Sequence, residues 1–262
     1  QQVLDTYGLE LKLACFASSS FKKTISSSSV NSTPDYVDIT PEDNVDDVAN
    51  YIENRLGYKP TIDELKMFQY VPNPYQYATE YLKHDFRHRD TFRDRYWFRI
   101  TNGSISGRYK DDTSNIRWIK YKSSVTDDTY MYTIKKPFSV EGPITVCISE
   151  GIFDSIGLYY YNKMNTSIRN VIYVSVLSSN YTKGIEYVLD KGIFGNDVRI
   201  NIYKDSDVHY IKIPSKLYQL FRSINIYQNV NGKDYGMRDI EIEKVIERKN
   251  EDDNYKNRRR SL

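Results

Sequence analysis

The run Ile144-Thr145-Val146-Cys147-Ile148-Ser149-Glu150-Gly151-Ile152-Phe153-Asp154 decides the reading of this chain. Its first six residues are mostly apolar and β-branched, the pattern of a strand buried on both faces of a parallel sheet. A glycine then lets the backbone turn, and an apolar helix follows. A second run, Val198-Arg199-Ile200-Asn201-Ile202-Tyr203, leads in the same way to Lys204-Asp205-Ser206-Asp207. In open α/β sheets, ligand-binding groups stand just past the carboxyl ends of the strands. If the two strands are neighbours, their acids share one crevice. Clustered carboxylates repel one another unless a cation neutralises them, and an all-oxygen ligand set suits Mg²⁺ or Mn²⁺.

Outward from these runs the pattern alternates. It predicts strand 143–149, helix 153–163, strand 170–176, helix 181–191, strand 197–203, helix 214–222, strand 224–230 and helix 237–248. Such alternation implies a mainly parallel sheet with crossover helices on its faces. Residues 42–142 read differently. Val45, Val48, Ile52 and Leu56 recur at three- and four-residue steps, predicting a helix over 42–57 with Thr40 as N-cap, Pro41 at its first position and Gly57 as C-cap. A short helix, capped by Thr61, is expected to run to about Tyr70. Residues 96–100 and 104–109, joined through Asn102-Gly103, read as a β-hairpin. Segments 117–122 and 130–134 read as further strands.

The division expected is therefore an N-terminal segment with a serine-rich linker over 1–41, an α+β subdomain over 42–142, an α/β domain over 143–248 and a charged tail over 249–262. The opening residues to Gly8 read as the end of a helix, as in a piece of a longer chain.

The chain has 262 residues, with 37 Lys and Arg against 35 Asp and Glu, so net charge alone does not point to a nucleic-acid partner. Distribution is more telling. Between Lys83 and Lys122, eleven Lys or Arg face five Asp, interleaved with Phe, Tyr and Trp. Cations draw phosphates and aromatic rings stack on unpaired bases, although a solvated helix and a half-buried sheet produce the same composition. The two cysteines, Cys15 and Cys147, are too few for a zinc site of the Cys₄ or Cys₂His₂ kind, and they suit a reducing cytoplasm. No stretch approaches the roughly 18 consecutive apolar residues of a membrane span.

Glu150-Gly151-x-x-Asp154 ahead of a helix, with Asp205-x-Asp207 after a later strand, resembles the TOPRIM domain of primases, topoisomerases and small nucleases. It is most similar to the bacterial and phage primases, over roughly residues 143–240. Ser206 stands where the family usually has glycine. The order Phe98-Arg99-Ile100, Gly103, Gly107-Arg108 and Lys120-Tyr121 resembles the primase subdomain that precedes TOPRIM, with Arg99 where the family usually has proline.

The resemblance implies a DNA-dependent RNA primase core that joins ribonucleoside triphosphates on single-stranded DNA. Glu150, Asp205 and Asp207 would be catalytic. With Asp154 and Asp234 they would hold Mg²⁺ or Mn²⁺. Arg108, Lys110, Lys120, Lys122, Lys204 and Lys233 would contact nucleotide or template. Asp154 reads equally as a first-turn helix acid, and Gly232-Lys233-Asp234 as a generic turn. Ser178-Ser179-Asn180 reads as a phosphate loop or, more simply, as a helix cap. A replicative helicase and a zinc-binding template reader would be partners outside this chain, and the location would be the cytoplasm, that of the host if the protein is phage-encoded. A TOPRIM nuclease and a catalytically inert nucleic-acid-binding TOPRIM protein are the alternatives; a topoisomerase is disfavoured.

Overall fold

Four parallel strands with an antiparallel strand at each edge form the larger of two sheets. The structure, a computed structural model, describes residues 38–40, 43–82, 90–111, 117–123, 130–136, 142–165 and 170–249. The serine-rich linker, residues 83–89 of the basic stretch and the C-terminal tail lie outside the described residues. The fold is mixed α/β, with a three-stranded antiparallel sheet and a six-stranded mixed sheet.

The smaller sheet has the order β1-β2-β3: Arg95–Arg99, Ile105–Tyr109 and Trp118–Tyr121. Its hairpin turns through Asn102 and Gly103, both left-handed (φ 62° and 72°), which is why an Asn-Gly pair stands there. Trp97 is paired with Gly107 and lies across it, since a Cβ on Gly107 would come within 2.8 Å of the indole. Before this sheet come α1 (Asp46–Leu56) and α2 (Ile62–Met67). A single helical turn, Pro74–Tyr77, continues as a π-turn to Leu82, and another turn spans Asp90–Arg93.

The larger sheet has the order β4-β6-β5-β7-β8-β9: Tyr132–Thr133, Val171–Ser175, Ile144–Ser149, Gly195–Lys204, Phe221–Asn229 and Ile242–Lys249. Pairs β5–β6, β5–β7 and β7–β8 are parallel, and β4 and β9 are antiparallel. From β5 the chain runs through α3 (Ile152–Asn165) to β6 on one side. After β6 it returns through α4 (Thr182–Asp190) to β7 on the other side and moves on to β8. The connections leaving β5 and β7 thus diverge, so the crevice of an open sheet opens between these two strands.

Alternation along β5 assigns the two faces. Val146 and Ile148 join Ile200, Ile202, Ile224 and Ile226 in a core beneath α4. Cys147 joins Tyr173 and Tyr203 in a second core, shared with α3, α1, α2 and β1. Ile148 and Ile202 are fully buried, each contributing about 2 kcal/mol as an upper figure. Gly184 lets α4 settle on β5, where a Cβ would meet Ile148 at 2.7 Å.

Several sequence expectations are corrected. The helix expected over 42–57 begins at Asp46. Thr40 instead closes a turn with Asp43, its N–H donating to Asp43 Oδ2 at 2.8 Å. Gly57 does end the helix (φ 83°), and Thr61 caps α2 in a reciprocal capping box with Glu64. Helix α2 stops at Met67, short of Tyr70.

The helix expected over 214–222 is a 3₁₀ turn, Ser215–Gln219, because Phe221 already begins β8. The helix expected over 237–248 is strand β9. Ile242, Val245 and Ile246 have helical spacing in the sequence. In the sheet, Ile226 pairs with Ile246 and Tyr227 with Lys244, so Val245 is a bulge residue and the apparent three-four step comes from that extra residue. None of the described helices is long and apolar enough to cross a membrane.

Candidate functional site

Strands β5 and β7 are hydrogen-bonded parallel neighbours, in register from Ile144–Val198 to Ile148–Ile202. Each leads directly into an acidic turn, so Glu150 and Asp205 come to the same edge of the sheet. The turn after β5 is held from below. Ser175 Oγ donates to Gly151 O at 2.7 Å, and Ser149, Ser155 and Ser175 form a fully buried hydroxyl cluster with spacings of 2.7–3.4 Å. Gly151 N–H donates to Asp154 Oδ2 at 2.7 Å. A Cβ on Gly151 would stand 2.9 Å from that oxygen, which accounts for the glycine.

Asp154 is 6 % exposed. Its other oxygen accepts Tyr235 N–H at 3.2 Å, so the side chain ties the β5 turn to the segment between β8 and β9. That segment sits directly on α3. Gly157 permits the contact, because a Cβ there would come within 2.0 Å of Tyr235 O. Burial, then the charges of Asp234 and Asp205, push the Asp154 carboxyl up to about 8, against the opposing pull of its two backbone donors.

Asp205 is 7 % exposed, and its Oδ1 is buried with no hydrogen-bond partner. Burial first, then Glu150, Asp234 and Asp207, push its carboxyl up to about 7; Lys233 opposes the rise. Asp207, two residues on, lies within a turn closed by Val208 N–H on Asp205 O and is exposed. Lys233 Nζ stands 2.7 Å from its Oδ2 and holds its carboxyl below the ordinary carboxylate range. Ser206 N–H donates to Lys233 O at 2.8 Å, which fixes the two turns against each other. Asp234 Oδ1 accepts Gly236 N–H at 3.0 Å. Glu150, Asp154, Asp205, Asp207, Asp234 and Lys233 are therefore one electrostatic group.

The cations of the smaller sheet divide. Lys120 Nζ donates to Leu177 O at 3.1 Å, and Leu177 N–H in turn donates to Glu150 O at 2.8 Å. Leu177 is left-handed (φ 52°), a strained conformation for leucine, beside the acidic turn. Burial, and then Lys183, lower the Lys120 pKa. Lys120 thus stands at the rim of the crevice. Lys122 lies over the Tyr130 ring at 5.0 Å.

Arg108 is 5 % exposed, with Nε donating to Tyr51 Oη at 3.3 Å and its guanidinium over Trp118. Lys110 pairs with Asp47 of α1. These contacts build Arg108 and Lys110 into the seam between α1 and the small sheet. Lys204 is buried at the end of β7. The cap expected at Asn180 is not made by its side chain; α4 begins after Tyr181. Two residue sets escaped the sequence reading, the serine cluster and Tyr181, because neither has a local signal.

An all-oxygen, partly buried carboxylate set with one orphaned oxygen has the chemistry that a hard divalent cation satisfies. Among the described residues, no three His, Cys, Asp or Glu side chains are already gathered to hold an ion. Glu150 is half-buried and Asp207 is exposed, so these two are less confined by packing than the buried Asp154 and Asp205. Two concave clefts, of about 430 and 540 Å³, lie elsewhere, one between α1, α3 and Met237–Ile240, the other beside Tyr70–Gln76. Their size does not outweigh the charge imbalance at the strand ends.

Comparison of the chain with protein families, with curated proteins and with solved structures finds no match.

Proposed function

We propose that the crevice between β5 and β7 is the phosphoryl-transfer centre of a DNA-dependent RNA primase core of TOPRIM type. The observation that carries this reading is the parallel pairing of β5 with β7, which puts Glu150 and Asp205 side by side at the sheet's switch point. Glu150, Asp205 and Asp207 are the proposed ligands of Mg²⁺ or Mn²⁺, with Asp234 adding charge and Asp154 bracing the turn. When bound, the ions supply Lewis acidity to the phosphates and to the attacking hydroxyl.

The chain's own cations have separable roles. Lys233, exposed and adjacent to Asp207, is suited to an incoming triphosphate. Lys120, at the rim, is suited to phosphate of nucleotide or template. Low solvent access around Asp205 strengthens every charge interaction in the crevice. Proposed partners are single-stranded DNA and ribonucleoside triphosphates, with a helicase and a zinc-binding template reader as further proteins, in a cytoplasmic setting.

A TOPRIM nuclease is the second reading. One observation favours it: Arg108 and Lys110, which the primase resemblance gives to nucleotide or template, are engaged with Tyr51 and Asp47, while the acidic group common to both chemistries is intact. Single-stranded template, labelled ribonucleotides and Mg²⁺ or Mn²⁺ distinguish the two. Short RNA products are expected. Template cuts without RNA would replace the primase reading with the nuclease, and binding without turnover would leave an inert nucleic-acid-binding protein. Glu150→Gln is expected to lower product yield by about 100-fold or more while template binding persists. An unchanged yield would remove Glu150 from the site.

A further inference from the structure

We propose that the Tyr181 hydroxyl is the positioning group that sets the Glu150 carboxylate against the tip of β7. This rests on the reading of the crevice as a phosphoryl-transfer centre. Tyr181 ends the loop after β6, one residue before α4, and its ring is 1 % exposed in the core beneath that helix. Its Oη accepts Asp205 N–H at 3.1 Å and stands 3.5 Å from Glu150 Oε2. Strands β6 and β7 flank β5 on opposite sides. A single hydroxyl from the β6 loop therefore reaches the ends of both strands that carry the acids.

The direction of these bonds follows from the proton inventory. A backbone N–H only donates, so at Asp205 the phenol oxygen is the acceptor. Its one proton is then directed to Glu150. A phenol ordinarily titrates near about 10, so the hydroxyl carries that proton at neutral pH. The 3.5 Å separation is long for O–H···O, and catalytic hydrogen bonds that are long without ligand tighten once charge is bound.

Glu150 is half-buried, and a glutamate side chain held by no partner has several staggered rotamers open to it. The phenol commits Oε2 and leaves Oε1 uncommitted among the described residues. In this way the tyrosine orients a ligand without being one, as outer partners of metal-binding carboxylates do. Phenylalanine at this position keeps the ring and its packing and removes only the bridge.

The test uses wild type, Tyr181→Phe, Glu150→Gln and the double variant, with Mn²⁺ alone as probe. Bound metal is read by electron paramagnetic resonance, and RNA synthesis is measured alongside. Tyr181→Phe is expected to weaken Mn²⁺ binding about tenfold, to leave the nucleotide KM at saturating metal unchanged, and to add nothing in the Glu150→Gln background.

Two results overturn the proposal: Mn²⁺ affinity equal to wild type in Tyr181→Phe, or a loss that persists in full when Glu150 is already Gln. If wild type binds no Mn²⁺, or Glu150→Gln leaves binding unchanged, the phosphoryl-transfer reading falls, and the proposal with it. Should Tyr181→Phe fail to fold, Tyr181→Met removes the same hydroxyl and refills the core with a more adaptable side chain. It is expected to weaken Mn²⁺ about tenfold, and unchanged affinity there overturns the assignment.

Discussion

Two buried acids, equally hidden, behave in opposite ways. Glu64, at the junction of α2 and α3, is 6 % exposed; Asp205, at the tip of β7, is 7 % exposed. Burial alone would raise both pKa values. At Glu64 it is overcome: Lys163 Nζ lies at 2.8 Å, Thr61 N–H at 3.0 Å and Tyr159 Oη at 3.1 Å, and the pKa falls below the ordinary glutamate value. Asp205 has an orphaned oxygen and three acidic neighbours, and its carboxyl is pushed up to about 7. Concealment from water is thus no sign of function. What separates the regions is compensation: the α2–α3 junction balances its charge internally, and Asp205 at the strand end keeps an oxygen without a hydrogen-bond partner.

That contrast is open to attack at several points. The largest structural effect is expected from Gly157→Ala, where the added methyl would meet Tyr235 O and drive the 230–241 segment off α3. A loss of about 3 kcal/mol in denaturant unfolding is expected, together with loss of the Asp154 clamp. A loss below about 1 kcal/mol would mean that the segment moves freely. Glu64→Ala removes the capping box and strands Lys163 and two tyrosines. A cost of about 2–3 kcal/mol is expected, seen as a melting temperature lower by roughly 5–10 °C.

The pH dependence of stability should carry opposite signs in the two regions. Glu64 contributes stability above its unfolded pKa of about 4.3, and that contribution is lost as pH falls through its lowered folded value. Asp154 and Asp205 have raised folded values, so the native state holds their protons more tightly. Their contribution is largest below the unfolded value of about 3.9 and declines as pH rises through about 7 and about 8. Asp205→Asn is therefore expected to raise the metal-free melting temperature by a few degrees at pH 8, but not at pH 4. Mg²⁺ or Mn²⁺ should stabilise the wild type at pH 8 and have less effect on that variant. Equal curves would show the acids to be compensated after all.

The smallest effect is expected from Lys233→Met. The Lys233–Asp207 pair is exposed, so the melting temperature should stay within about 2 °C of wild type, while the nucleotide KM rises. A large stability change would make Lys233 a structural residue.

The local parts of this arrangement were legible in the sequence. Apolar runs marked β5 and β7, Gly151 marked the turn, Thr61 marked the start of α2, and Asn102-Gly103 marked the hairpin. Each depends on residues close together in the chain. The long-range parts were not legible. Lys110 is 63 residues from its partner Asp47, and Arg108 is 57 from Tyr51, so cations that look available in the sequence are engaged in the fold. Tyr181 acts across three strands and has no spacing signature. Strand β9 was read as a helix because a single bulge residue, Val245, shifts its apolar positions into a three-four step.

The strand order has a consequence for how the protein is made. Strand β7 lies between β5 and β8, so a growing chain that ends before residue 195 can pair β5 with β6 but leaves the other side of β5 bare. The acidic pocket then does not exist, and an apolar ribbon awaits a neighbour that has yet to be synthesised. A stalled ribosome at that point would hold a sticky half-sheet without its acidic crevice. The price of building a site from distant strands is a vulnerable interval during translation.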